Sequence, residues 1–327
     1  MITIVAAVVA VLASILMFGF RKKRFDPAGQ FCYIPGGSAG LGKSLAAELV
    51  RRGAHVVIAA RGAQRAAETV AELKTLAKPD QKILFVTADL SDQVSSARAL
   101  GEAAAAFDGR APDHVFLCAG MARPMLFIDT TTEDLKANFD GVYWVSAWTA
   151  HAVVQMMVKQ KVQGTLTFVS SFLGYTAFAG YSTYTPGKFA LRGLADTLRN
   201  ELLLFGIKVH LYMPAGMLSP GYEEENKSKP KVTQKIEDAD KPISCEAAAA
   251  ILVKGLERGN YQITNDFVTD LVRVSAKGAV PSNGPLDVVY SIISAIGLPI
   301  WRMMTDSQVR ASSKQVDADL QARGFYA

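Results

Sequence analysis

Tyr184 and Lys188 stand four residues apart in Tyr184-Thr185-Pro186-Gly187-Lys188, a spacing that puts a phenol and an ammonium on one face of a helix start. A tyrosine with a pKa of about 10 is a poor acid at neutral pH, and an adjacent cation is expected to stabilise its anion and bring the pKa towards the working range. Pro186 fits the first helical turn, where a missing amide costs nothing. Tyr-Lys pairs at this spacing are common by chance. Ser171, 13 residues upstream behind Phe168-Val169-Ser170, gives the pair its chemical content: its hydroxyl can hydrogen-bond the same carbonyl oxygen as Tyr184. The three side chains together suit proton transfer at a carbonyl.

A second constellation lies near the start of the chain. Gly36, Gly40 and Gly42, in Gly36-Gly37-Ser38-Ala39-Gly40-Leu41-Gly42, follow an apolar run and precede a helical one. Such glycines let the backbone turn tightly and approach a pyrophosphate, while the helix N-terminus supplies partial positive charge. After the next apolar run an NAD-binding site usually carries an acid for the ribose hydroxyls. The chain has Ala59-Ala60-Arg61 instead. With no acid to repel a 2′-phosphate and a guanidinium available to bind it, NADPH is favoured over NADH. Ser38 and Arg65 either add contacts to that phosphate or are simply solvated. Asp89, with Leu90 beside it, follows the third apolar run and is placed to accept a hydrogen bond from the adenine amino group.

Elements that could hold these residues alternate along the chain. Apolar runs at 31–34, 55–60, 83–87, 115–118, 166–170 and 209–213 predict six buried strands. Helices are predicted between them at 44–52, 63–76, 94–107, 135–159 and 185–205. Buried strands separated by crossover helices imply an α/β fold, a Rossmann-type doubly wound parallel sheet covered on both faces in a single domain spanning 25–284. The segment 219–244 is rich in Pro, Lys and Glu, too polar to be core, and predicts a mobile flap. The apolar stretch 288–301 is 14 residues long and contains Pro299, too short to span a bilayer comfortably. It reads as interfacial or re-entrant, or as a buried core helix, within a C-terminal region of 285–327.

Composition limits the partners. Of 327 residues, half are hydrophobic and 20% charged, which provides for a large core and excludes disorder. The net charge is +5, of which four belong to Arg21, Lys22, Lys23 and Arg24, leaving +1 for the rest. The basic footprint of a nucleic-acid binder is missing, and no nucleic-acid partner is expected. Cys32, Cys118 and Cys245 lack metal-ligand spacing and suggest reduced, mostly buried thiols, with no metal site. Residues 2–20 carry no charge and precede the four bases. They predict an N-terminal transmembrane helix, residues 1–24 with its basic flank, holding the remainder in the cytoplasm. A cleaved signal peptide is the alternative, but it would carry positive charge before a shorter apolar run.

Together, the glycine turn, Asp89, Ala119-Gly120, Asn138, Ser171, Tyr184 and Lys188 resemble, in order and spacing, the motifs of the short-chain dehydrogenase/reductase family over roughly residues 30–216. The resemblance implies a seven-stranded doubly wound sheet, hydride transfer between a nicotinamide cofactor and a ketone, and homodimers or tetramers, although no residue marks an interface. By the same resemblance Tyr184 protonates the carbonyl oxygen and Ser171 polarises it. Lys188 holds the nicotinamide ribose and tunes Tyr184, and Asn138 holds a water that relays protons to Lys188. The cofactor would be lined by Gly36, Ser38, Ala39, Gly40, Leu41, Gly42, Ala119, Gly120 and Pro214. Pro35, Leu117-Cys118 and Pro214-Ala215-Gly216 depart from the usual pattern, removing polar groups around the cofactor and altering the loop after the sixth strand.

Two stretches are similar to a narrower family, the 3-ketodihydrosphingosine reductases: Lys188-Phe189-Ala190-Leu191-Arg192-Gly193, and the flap sequence from Ser219-Pro220-Gly221-Tyr222 through Glu223-Glu224-Glu225 to Pro230, Thr233 and Ile236. That resemblance implies NADPH-dependent reduction of a lipidic ketone in sphingolipid synthesis, at the endoplasmic reticulum membrane with the catalytic body in the cytosol. A membrane-bound reductase of a steroid, retinoid or fatty acyl carbonyl would use every cofactor and catalytic residue equally well. A non-catalytic NADPH-binding protein would need neither the phenol nor the lysine. Glu223, Glu224 and Glu225 either attract the cationic amine of a sphingoid substrate or form a solvated charge run.

Overall fold

The computed structural model describes residues 25–238 and 240–324. The N-terminal helix expected at 2–20 lies outside them. Seven parallel strands form one sheet in the order β3-β2-β1-β4-β5-β6-β9: β1 (Phe31–Pro35), β2 (His55–Ala60), β3 (Ile83–Thr87), β4 (His114–Leu117), β5 (Thr165–Val169), β6 (Lys208–Met213) and β9 (Gln262–Thr264). The order reverses between β1 and β4, where Cys32 pairs with His114 and Tyr33 with Val115. In an open sheet of this type the crevice for ligands lies beyond the C-terminal strand ends at that reversal.

Alternation along the strands explains why they read as continuous apolar runs. Phe31 and Tyr33 enter one core with Val57, Val115 and Leu117, while Cys32 and Ile34 enter the other with Val56, Ile58 and Phe116. In β1 and β2 both faces are buried, so beyond His55 neither parity of residue is polar. One face is covered by α1 (Gly40–Arg51), α2 (Ala63–Lys74) and α9 (Cys245–Glu257); the other by α3 (Gln93–Ala105), α5 (Val145–Lys159) and α6 (Thr185–Glu201).

The structure departs from the sequence expectation in four places. The seventh strand, β9, is only three residues long and includes polar Gln262 and Thr264, so no apolar run announces it. The helix expected at 135–159 is broken into α4 (Thr132–Phe139), a π-helical turn (Asp140–Trp144) and α5. Gly141 within that turn lets the backbone close on Met121, whose Sδ would lie 2.5 Å from an added Cβ. Residues 219–244, expected to be too polar to pack, contain two helices, α7 (Pro220–Ser228) and α8 (Lys231–Glu237), with Lys229, Val232 and Thr233 buried. A two-residue strand pair, β7 (Met217–Leu218) with β8 (Ile243–Ser244), ties the ends of this flap together. The apolar stretch 288–301 lies inside α11 (Leu286–Ala311), which follows α10 (Phe267–Ala276) and precedes α12 (Ser313–Ala322). The core-helix reading of that stretch is corrected: Val288, Ile292, Ile296, Ile300, Met303 and Met304 are exposed. The helix is long and apolar enough to cross a membrane by length and composition.

Candidate active site

The turn between β1 and α1 is built backbone against backbone. Gly36 adopts a φ of +82°, which favours glycine, and an added Cβ would stand 2.5 Å from the amide nitrogen of Ala119. At Gly42 an added Cβ would stand 2.2 Å from the carbonyl oxygen of Gly36. Ala39, the residue before α1, offers no side-chain acceptor to the first-turn amides, so Ala39, Gly40, Leu41 and Gly42 line a cavity with their own backbone groups available to an anion. The positive end of the helix and the absence of side chains in the turn together suit a pyrophosphate.

Two adjoining cavities share Gly36, Arg61, Arg65, Ala119 and Gly120. The first, of about 940 Å³, is also lined by Ser38, Ala60, Asp89 and Leu90. It therefore brings together the glycine turn, both candidate arginines and the candidate adenine acceptor. Asp89 Oδ1 accepts hydrogen bonds from the amide (3.0 Å) and hydroxyl (2.7 Å) of Ser91. Those bonds, and secondarily the charge of Arg61, hold its carboxyl below the usual range, so it is an ionised acceptor at neutral pH.

The second cavity, of about 710 Å³, contains Ser171, Tyr184, Lys188 and Pro214. Ser171 follows β5, and its Oγ accepts from the amide of Leu173 at 3.1 Å. Tyr184 is the residue before α6, with Pro186 in the first turn and Lys188 one turn along. Lys188 is 5% exposed; its Nζ donates to the carbonyl of Val169 at 3.2 Å and lies 5.4 Å from the Tyr184 ring centroid. The cavity thus brings the phenol, the hydroxyl and the lysine to one place. Asn138 is separate from both cavity walls. It is buried, its Nδ2 donates to the carbonyl of Asp134 at 3.0 Å, and its Oδ1 has no partner among the described residues.

One electrostatic expectation is corrected. Lys188 does not bring the pKa of Tyr184 down: burial raises it well above the ordinary phenol value, the charge of Glu225 raises it further, and only the hydrogen bond with Ser171 opposes them. The same burial lowers Lys188 to about 8, because desolvation disfavours the charged lysine and the charged phenolate alike. The phenol is therefore held protonated, as a proton donor.

The sequence reading did not identify Tyr181, Lys229 and Glu237. In the structure Tyr181 Oη hydrogen-bonds Glu225 at 2.5 Å and Glu237 at 2.8 Å. Lys229 Nζ lies 2.5 Å from Glu237 and 3.4 Å from Glu225. Burial works against the charge of Lys229, but the two carboxylates outweigh it and raise its pKa. The i,i+4 spacing of Glu225 and Lys229 was the available signal; their union with Glu237 and Tyr181 is tertiary.

A family model described as short chain dehydrogenase matches residues 30–230. The 3-ketodihydrosphingosine reductase of Cryptococcus neoformans var. neoformans serotype D is 50% identical over 308 residues, covering 94% of this chain and 92% of that protein. The enzyme of that name from Aspergillus fumigatus is 36% identical, over 86% of this chain and 83% of its own. The one from Dictyostelium discoideum is 30% identical, over 90% and 91% respectively. Among solved structures, a short chain dehydrogenase/reductase from Burkholderia phymatum in complex with NAD superposes with a TM-score of 0.68 at 18% identity, covering 77% of this chain and 95% of that one. Levodione reductase superposes with a TM-score of 0.65 at 20% identity, over 73% and 96%. These two likenesses are of fold.

Proposed function

We propose that this chain, which belongs to the short chain dehydrogenase/reductase family, reduces 3-ketodihydrosphingosine to dihydrosphingosine with NADPH. The observation that carries the substrate is the 50% identity, over 94% of the chain, to a reductase of that name. The cofactor class is supported by the glycine turn, whose backbone packing admits no side chain at Gly36 or Gly42 and whose residues 39–42 line the cavity at the start of α1. The choice of NADPH is supported by Arg61 and Arg65 on the same cavity wall, with Ala60 where an acid would repel a 2′-phosphate.

The nicotinamide, when bound, supplies the hydride that the ketone carbon receives. The remaining chemistry belongs to side chains of this protein. Tyr184, kept protonated by burial and by Glu225, gives its proton to the carbonyl oxygen as that oxygen gains negative charge. Ser171 donates its hydroxyl hydrogen to the same oxygen and stabilises the charge before the proton arrives. Lys188, its Nζ 5.4 Å from the Tyr184 ring centroid, is placed to hold the ribose hydroxyls and to return a proton to the phenolate once that has formed. Asn138 Oδ1, buried and unpartnered among the described residues, is an acceptor suited to a water that returns a proton towards Lys188.

A membrane location at the endoplasmic reticulum, with the catalytic body in the cytosol, belongs to the same proposal. It is supported by the uncharged stretch 2–20 followed by four bases and by the exposed apolar row on α11, which together would keep the enzyme where a long-chain substrate partitions.

The test is NADPH oxidation by detergent-solubilised protein with 3-ketodihydrosphingosine, run beside a steroid and a retinoid carbonyl. Turnover of the sphingoid ketone above both others is expected. Turnover of another carbonyl and not this one would overturn the substrate and leave only the family chemistry.

A further inference from the structure

We infer that Glu225 binds the ammonium group of the substrate and so selects a 2-amino ketone over a neutral one. This rests on the substrate proposed above, whose cationic amine is carried by the carbon next to the ketone. A group that recognises the amine must therefore line the same cavity as the groups that serve the carbonyl oxygen.

Glu225 meets that requirement. It lines the same cavity as Ser171 and Tyr184. Its Oε1 is 2.5 Å from Tyr181 Oη, and the Tyr181 ring centroid is 5.9 Å from that of Tyr184. The carboxylate is one aromatic side chain away from the reacting phenol, and its charge acts on that phenol. Glu225 belongs to α7, whose cap is fixed by Ser219 Oγ accepting from the amide of Tyr222 at 3.1 Å. The side chain is 17% exposed, mostly enclosed by protein, and lines the cavity.

Among the described residues its local charge balance is one cation short. Glu225 and Glu237 share a single ammonium, Lys229, which lies closer to Glu237 (2.5 Å) than to Glu225 (3.4 Å). They also share the single proton of the Tyr181 hydroxyl, which can be donated fully to only one of them. Both of these contacts use Oε1 of Glu225, leaving Oε2 for a further donor. Asp240 adds a third acid to the cavity lining. The neighbouring Lys227 is paired with Glu224 on the exposed side of α7. A substrate ammonium would supply the missing positive charge, with charge-assisted hydrogen bonds to the free oxygen.

The same arrangement is counterproductive for a neutral ketone. A carboxylate beside a proton donor makes the donor weaker, because it disfavours the phenolate left behind. A cation bound between them offsets that effect, so the amine of the correct substrate relieves a handicap that a steroid or retinoid carbonyl would retain. Tyr181 and Lys229 are positioning residues in this account: they orient Glu225 and do not touch the reacting atoms.

The full-length protein in detergent micelles, with NADPH, is to be assayed on 3-ketodihydrosphingosine and on its 2-deamino analogue, comparing the parent with Glu225→Gln. The parent should prefer the amino ketone, and the substitution should reduce that preference in kcat/KM by roughly 10–100-fold, mainly through KM of the amino ketone. A preference unchanged in Glu225→Gln, with the parent active on the amino ketone, overturns the role of Glu225 and leaves the proposed function standing. A parent that reduces the analogue but not the amino ketone overturns both. Should Glu225→Gln fail to bind NADPH, competition with the parent decides: dihydrosphingosine should inhibit at least tenfold more tightly than its 2-deamino alcohol, and equal inhibition overturns the inference.

Discussion

Around Gly36 and Gly42 the site is held by backbone against backbone; around Tyr181, Glu225, Lys229 and Glu237 it is held by charge. In the first region nothing larger than hydrogen fits at two positions, and the strands behind them are buried on both faces. In the second, two short helices are flanked by a two-residue strand pair, tied to each other by an ion-pair cluster and joined to the body through the Tyr181 hydroxyl. The difference teaches where specificity resides. A dinucleotide is common to a whole family and suits a rigid turn, whereas the ketone differs from enzyme to enzyme and, in the recognition proposed above, is met by side chains on a segment that the sheet constrains little.

The largest expected effect lies where the two regions meet. Tyr184→Phe removes the proton donor and should lower kcat by roughly 10²–10⁴-fold, with NADPH affinity unchanged in a fluorescence titration; a kcat within a few-fold of the parent would break the mechanism. In the rigid region, Gly42→Ala places a methyl group 2.2 Å from a backbone oxygen that has no free rotamer. A loss of roughly 3 kcal/mol in stability is expected, read as a Tm lowered by roughly 6–12 °C, together with weakened NADPH binding.

The charged region should respond differently. Lys229→Met leaves Glu225 and Glu237 facing each other without their cation, at a local cost of about 2 kcal/mol. Hydrogen exchange should accelerate in residues 219–244 while the glycine turn keeps its protection and NADPH its affinity. Equal loss of protection in both regions would show that they are one cooperative unit and erase the contrast drawn between them.

Two smaller effects sharpen the cofactor side. Arg61→Ala should reduce the NADPH-to-NADH ratio of kcat/KM by roughly 10–100-fold, and an unchanged ratio would remove Arg61 from the phosphate site. The pH profile follows from Lys188, whose pKa is lowered to about 8 by burial. Below that pH the lysine carries the proton that it can pass to the phenolate; above it that proton is lost. Tyr184 stays protonated across the whole range. The reduction rate should therefore be level below about pH 8 and fall up to tenfold per unit above it, measured as kcat/KM from pH 6 to 10.

The same contrast explains what the sequence made legible. Strands β1 to β6 were recognisable to within a residue at each end because mostly apolar runs mark them, including β3 at the sheet edge, where Leu84 and Phe85 are exposed. The glycine turn and the Tyr184 and Lys188 pair were recognisable because their spacing along one turn or helix is itself the geometry, whereas Ser171 reaches them from the end of β5 only in the folded cavity. β9 was not, since Gln262-Ile263-Thr264 is three residues long and gains its place from β6 alone. The flap was misread because Lys229 looks solvated until Glu225, Glu237 and Tyr181 are brought around it. The raised pKa of Tyr184 was missed for a related reason: a four-residue spacing reveals a neighbouring cation, but not the burial that outweighs it.

The most direct test of the central claim follows the transferred atoms. NADPH carrying deuterium at the transferable position is to be incubated with 3-ketodihydrosphingosine and either the parent protein or Tyr184→Phe, and the lipid product analysed by mass spectrometry. The account predicts dihydrosphingosine with one deuterium on the former ketone carbon from the parent, and its near absence from the variant. No deuterated product from the parent, or equal amounts from both proteins, would contradict it.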